Sequence, residues 1–145
     1  MATSSEEETC VFCKIVREKT AVFFYENEGF IAFKDKKPAA AHHYLIIPKK
    51  HVKNPSTLQP SDLELVKQLF SIGKEVLQRQ NASTDDARFG FHWPPFNSIQ
   101  HLHMHAISPA SSMGFVSKLI FKPDTYWFVS AASLVEKLEK KISET

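Results

Sequence analysis

Residues 98–107 read Ser98-Ile99-Gln100-His101-Leu102-His103-Met104-His105-Ala106-Ile107. Three histidines alternate with Leu102, Met104 and Ala106. A period of two belongs to an extended strand, whose successive side chains point to opposite faces. His101, His103 and His105 are therefore expected to project together, with Leu102, Met104 and Ala106 turned into a core. Imidazoles spaced this closely would repel one another if all were charged. At pH 7 most should be neutral, and a neutral imidazole is a nucleophile, a base or a metal ligand. A solvated His-rich face or a simple metal site is the plainer alternative, and strict alternation with core residues argues against it.

Working outward, His101 to Ser108 reads as a strand, and Arg88 to His92 as its neighbour across a loop holding Pro94 and Pro95. Upstream, Val22 to Tyr25 and Phe30 to Phe33 are β-prone runs joined by Glu26-Asn27-Glu28-Gly29, a hairpin signal. His43 to Ile47 gives a further strand closed by Pro48, and Asn54 to Pro60 a loop. A helix is expected from near Pro60, with Leu63, Val66, Leu69, Phe70, Gly73, Val76 and Leu77 on its apolar face. Asn81 to Asp86 is a polar turn and Ser111 to Gly114 a loop. A last strand is expected over Leu119 to Lys122. A closing helix follows from about Ser130 to Ser143, with Leu134, Val135, Leu138 and Ile142 on one side. A short helix over residues 10–19 would take Thr9 as its cap. Residues 1–9 read as a disordered tail and 10–145 as one domain. Strands, one long helix, strands and a final helix make an α+β pattern with a mainly antiparallel sheet.

At 145 residues the chain suits one domain able to bury a core. A formal charge of +2 is too small for a broad nucleic-acid-binding face, so an anion would be gripped locally. The N-terminus carries Glu6, Glu7 and Glu8, not the basic-then-apolar pattern of a secretory signal, and no apolar run approaches a membrane span. The expected compartment is the cytosol or nucleus, where disulfides are rare. There the two cysteines, Cys10 and Cys13, read first as half of a metal site and second as a redox pair.

The alternating histidines, followed by apolar residues, resemble the signature of the histidine triad superfamily. Other segments match it in order. Cys10-Val-Phe-Cys13-Lys-Ile resembles its opening segment. Phe30-Ile-Ala-Phe33-Lys34-Asp35 with Pro38 resembles its ribose-binding strand, and His43-Tyr-Leu-Ile-Ile-Pro48-Lys49-Lys50-His51 the strand before its long helix. The match covers about residues 10 to 108. The tail, Gly114-Phe-Val-Ser-Lys-Leu and Tyr126-Trp-Phe-Val before a helix, is similar to that of one subgroup of the Hint branch.

The resemblance implies hydrolysis of nucleoside 5′-phosphoramidates and acyl nucleotides in two displacements, with purine nucleotide conjugates as substrates. By motif position His103 is the nucleophile, attacking the α-phosphorus, and water then cleaves the nucleotidyl-histidine. A histidine nucleophile needs its second nitrogen held by an acceptor, either a backbone carbonyl or His43. His105 would donate to the phosphate oxygens, and Ser98 would contact the phosphate or leaving group. Asp35 would accept from the ribose hydroxyls. Phe12, Ile15 and Phe33 would line a slot for the base, or simply pack as core.

Familiar Hint proteins carry a glycine-rich stretch before the triad, where this chain has His92-Trp93-Pro94-Pro95-Phe96-Asn97. That loop is stiffer and bulkier, which leaves the leaving-group pocket and the direction of His92 open. Cys10, Cys13, His51 and His101 supply two thiolates and two imidazoles, a set suited to structural zinc with no open position. The alternative is a buried, free thiol pair. The resemblance also implies symmetric homodimers or larger assemblies. Two rival functions remain. An aprataxin-like deadenylase would want a basic DNA-binding extension, and a nucleotide-binding scaffold would have lost turnover. Transferase members carry glutamine in place of the third histidine, and His105 argues against that branch.

Overall fold

The computed structural model describes residues 4–144. Six strands form one sheet: β1 (Phe23–Glu26), β2 (Phe30–Lys34), β3 (His42–Pro48), β4 (Arg88–His92), β5 (Met104–Ser108) and β6 (Phe128–Ser130). Their order across the sheet is β1-β2-β3-β5-β4-β6, and every pairing is antiparallel. The helices are α1 (Ser4–Thr9), α2 (Val11–Glu18), α3 (Leu63–Arg79), α4 (Phe115–Ile120) and α5 (Ala131–Ser143). The α+β class and the long central helix agree with the sequence pattern. No described helix is long and apolar enough to cross a membrane.

Period-two alternation sorts the sheet into two faces. Phe30, Ala32, Tyr44, Ile46, Leu102, Met104 and Ala106 pack with Val66, Leu69, Ile72, Val76 and Leu77 of α3 in the main core. Ile31, Phe33, Leu45 and Ile47 point the other way and bury Phe12 and Ile15 of α2. Gly73 lets α3 approach the sheet, because a Cβ there would overlap the Met104 side chain. Gly90 does the same in β4, where a Cβ would stand 2.5 Å from both Val129 O and a Phe128 ring carbon. The β1–β2 turn is built as expected: Asn27 Oδ1 accepts from the amides of Gly29 and Phe30, each at 2.9 Å.

Four expectations shift. Cys10, not Thr9, caps α2, its Sγ accepting from the Cys13 amide at 3.4 Å. Ser4–Thr9 forms α1 where the sequence reads as tail, and residues 1–3 lie outside the described residues. Ladder pairing in the triad strand begins at Met104; His101 to His103 are buried but lie before it, with a bend at His101. The expected strand over Leu119 to Lys122 does not form. Phe115–Ile120 is helical, and the terminal strand is β6, paired through Gly90–Ser130, Phe91–Val129 and His92–Phe128. The run Leu-Ile-Phe has no period that separates one helical turn from a short strand.

Candidate active site

β5 lies between β3 and β4 and carries His105 on the face opposite α3, with His103 in the residue just before its first ladder pair. The His103 ring is 8% exposed, stands 5.3 Å from the Phe12 ring and 5.1 Å from that of His105, and meets both edge to face. Its Nδ1 is 2.8 Å from the carbonyl oxygen of His101. A carbonyl only accepts, so Nδ1 carries the proton and Nε2 keeps a free lone pair. The acceptor is therefore the backbone carbonyl, and His43 bonds elsewhere.

The His43 ring works on His105. Its Nδ1 accepts from the Ala39 amide at 3.0 Å, so in the neutral ring the proton sits on Nε2. Nε2 lies 2.9 Å from His105 Nδ1 and 3.3 Å from Asp35 Oδ2. Donation to His105 makes that Nδ1 an acceptor and puts the His105 proton on Nε2. His105 Nε2 is buried and has no partner among the described residues, which leaves a donor without an acceptor. Such an orphan is costly unless a ligand oxygen supplies the missing acceptor. Asp35, His43 and His105 also lie close enough together to suggest a cation site. The tautomers argue otherwise, since a neutral His43 with a protonated Nε2 has no lone pair to offer there.

Burial keeps these rings neutral. Desolvation pushes His43 down to about 4 against a partial pull upward from Asp35, and pushes His101 down to about 4. His103 and His92 are also lowered by burial, and His105 lies well below the ordinary imidazole range for the same reason.

A second cluster stands behind His103. Cys10 Sγ, Cys13 Sγ, His51 and His101 bring one ligand atom each within 4.8 Å of one another. His51 Nδ1 is 3.2 Å from Cys13 Sγ, and His101 Nδ1 is 3.4 Å from Cys10 Sγ and 3.5 Å from Cys13 Sγ. His101 Nε2 is 2.8 Å from the Pro48 carbonyl, so it donates there and leaves the Nδ1 lone pair aimed between the sulfurs. Outer-sphere carbonyls fix the tautomer of metal-ligating histidines in this way. Without a metal, burial together with Cys10 pushes the Cys13 thiol up to about 12. The donor set fits a metal that takes two thiolates and two imidazoles.

The remaining candidates divide. Phe12 and Phe33 are 4% and 5% exposed and meet edge to face at 5.4 Å, with Ile15 beside them, so they form a packed wall next to His103 rather than an open slot. Ser98 is exposed and lines a cleft with Cys10, His51 and Lys53. Among the described residues no hydrogen bond ties it to the triad. Asp35 sits at the end of β2, its Oδ1 accepting from the Lys37 amide and its Oδ2 facing His43. His92 turns inward, its ring 5.0 Å from that of His105 and 5.0 Å from that of Phe128. Groups that sequence reasoning missed are mostly backbone: the Ala39 amide and the Pro48 carbonyl, which no side-chain pattern reveals. Asn97 was missed too; its Oδ1 is buried without a partner among the described residues, and the residue lines a narrow cleft with His92 and His103. A cavity of about 510 Å³ between α3 and α5 lies on the other side of the sheet and includes no triad residue.

Comparison with known proteins identifies the family. Residues 9–120 match the family model described as scavenger mRNA decapping enzyme C-term binding. The chain is similar to the adenosine 5'-monophosphoramidase HINT3 of Mus musculus, 46% identical over 138 residues that cover 92% of this chain and 84% of that protein. It is also similar to the bifunctional adenosine 5'-phosphosulfate phosphorylase/adenylylsulfatase HINT4 of Arabidopsis thaliana, 39% identical across 94% of this chain and 96% of that one. Among solved structures, a HIT family hydrolase from Clostridium thermocellum superposes with a TM-score of 0.65 at 31% identity, covering 69% of this chain and 90% of its own.

Proposed function

The chain belongs to the histidine triad superfamily, within its Hint branch, and from that premise we propose that it is a nucleoside 5′-phosphoramidate hydrolase. Adenosine 5′-monophosphoramidates are its expected substrates, and acyl-adenylates are cleaved by the same route. The observation that carries the reading is the complementary pair of tautomers: a free lone pair on His103 Nε2 beside an unpartnered donor on His105 Nε2. One attacks phosphorus; the other meets the oxygens on which charge develops.

In the first displacement the His103 Nε2 lone pair forms a bond to the α-phosphorus, and the bond to nitrogen breaks as that nitrogen takes a proton from solvent and leaves as the amine. The adduct's positive ring keeps its Nδ1 proton on the His101 carbonyl, which steadies it. Water then cleaves the nucleotidyl-histidine, so the net products are the free amine and the nucleotide. His43 holds His105 in the donating tautomer, and Asp35, with one oxygen at the site's edge, accepts from the ribose. Phe12, Ile15 and Phe33 back the base, and Ser98 closes over the phosphate when substrate is bound.

The cysteine–histidine cluster holds zinc in this reading, with Cys10, Cys13, His51 and His101 as its four ligands. Bound there, the metal would supply a structural tie between α2 and the segment leading to His103. Two copies pair into a symmetric dimer, and the protein works in the cytosol or nucleus, where Cys10 and Cys13 escape disulfide formation and stay available to the metal.

The test is release of AMP from adenosine 5′-phosphoramidate by the wild type and by His103→Asn. Turnover by the wild type alone supports the enzyme. Binding without turnover by both makes the protein a nucleotide-binding scaffold and ends this reading.

A further inference from the structure

On the side of the triad away from Asp35, an open cavity of about 380 Å³ is lined by His92, Phe96, Leu119, Ile120 and Trp127. We propose that this cavity receives the leaving group, and that it selects conjugates in which a bulky apolar group, aromatic or branched, is joined to the nucleotide phosphate. This rests on the phosphoramidase reading and names its substrate class.

Position is the first support. Asp35 and His43 stand on the β2–β3 side of β5, and His92 ends β4 on the opposite side. The His92 ring packs edge to face on His105, 5.0 Å away, and lines both the apolar cavity and the narrow cleft that reaches His103. A phosphate seated against His103 and His105 with its ribose toward Asp35 directs its remaining substituent past His92 into this cavity.

The walls are the second support. The two polar ring groups among them already serve the backbone: Trp127 Nε1 donates to the Leu119 carbonyl at 2.9 Å, and His92 Nε2 donates to the Ile120 carbonyl at 3.2 Å. No charged side chain is among its lining residues. Apart from the acceptor lone pair on His92 Nδ1, what remains to offer an occupant is ring faces and branched aliphatic carbon. Phe96, Leu119 and Ile120 are 55%, 50% and 43% exposed, apolar surface that an apolar occupant would remove from water. The volume falls in the range of about 300–1,000 Å³ usual for ligand pockets. The same segment that was expected to be a strand, Leu119 to Lys122, supplies this wall because it ends a helix instead.

The test compares three adenosine 5′-phosphoramidates: the unsubstituted amide, its N-(2-phenylethyl) derivative, and an N-(4-aminobutyl) derivative of similar reach but with a charged end. The wild type should favour the phenylethyl compound in kcat/KM. Leu119→Ser and Phe96→Ser, both at exposed positions, should lower the phenylethyl-to-amide ratio by about tenfold, mostly through KM. No preference among the three substrates, or an equal loss on all of them, overturns the assignment. If the variants dissociate an oligomer while the ratio holds, the surface is a subunit contact and the assignment is again overturned. If the wild type cleaves none of the three, the phosphoramidase reading itself has failed.

Discussion

The Nδ1–H of His103 donates to the carbonyl of His101 at 2.8 Å, so the nucleophile is held by the backbone two residues before it. Its orientation therefore does not depend on a second ionisable side chain. Replacing His103 by Asn should abolish turnover, a loss of at least about 10⁴-fold, with the fold intact by circular dichroism. Quenching the wild type with alkaline denaturant during turnover, which preserves the acid-labile P–N bond, should leave one AMP mass on the peptide containing His103. Its appearance on another histidine would reassign the nucleophile.

His43 acts through the proton on its Nε2. A glutamine can place an amide N–H near that point, whereas leucine cannot. His43→Leu should lower kcat by about 10²-fold, and His43→Gln should restore much of it, with KM little changed in either. Equal loss in both variants would mean that His43 matters only as packing.

Acid stability follows from the buried imidazoles. The His43 pKa is about 4 in the folded state, and the ordinary unfolded value is near 6.5. Between those values the unfolded chain binds more protons, so folding stability falls as pH drops from 6.5 toward 4 and is insensitive to this group above 6.5. The loss is up to about 3 kcal/mol from His43 alone, and His105 adds in the same direction. Urea unfolding at pH 7.5, 6 and 5 measures it; a flat midpoint across that range would contradict the neutral assignment. Because burial also lowers His103, the acid limb of kcat/KM should lie below pH 6.5.

Zinc, if it fills the four-ligand cluster, should be recovered at one ion per chain by elemental analysis. Cys13→Ser should lose it and lower the melting midpoint by about 5 °C or more, and a strong chelator should bring the wild type down to match. A wild type that melts identically with and without chelator would favour free thiols.

At Gly90 a methyl group would meet the Val129 carbonyl, which cannot turn aside. Gly90→Ala should destabilise the protein by about 1–3 kcal/mol. The same residue pairs with His105, so activity should fall alongside stability, read as the melting midpoint against kcat.

The triad strand and the long helix were legible because their apolar residues keep strict periods, two for Leu102, Met104 and Ala106 and 3.6 for Val66, Leu69, Val76 and Leu77. Cys10, Cys13, His51 and His101 were legible from residue type as a group able to hold a metal, and the fold brings them together. The tautomers were not, because Ala39, His101 and Pro48 act through backbone atoms that any residue could supply. The region 115–128 misled for another reason. Its apolar residues Phe115, Val116, Leu119 and Ile120 stay exposed, so their hydrophobicity does not report a buried face. His92 could be placed only once β6 and Phe121 closed around it.

The reactive rings stand on or directly before an interior strand clamped by a neighbour on either side, whereas Leu119 and Ile120 belong to a short peripheral helix. Amides of β5 should accordingly be among the last to exchange with deuterium and those of α4 among the first. Turnover and selectivity thus sit on parts of the molecule that open independently. An engineer, or evolution, can rewrite what the enzyme releases by changing the rim of the sheet while the bond-making machinery stays untouched.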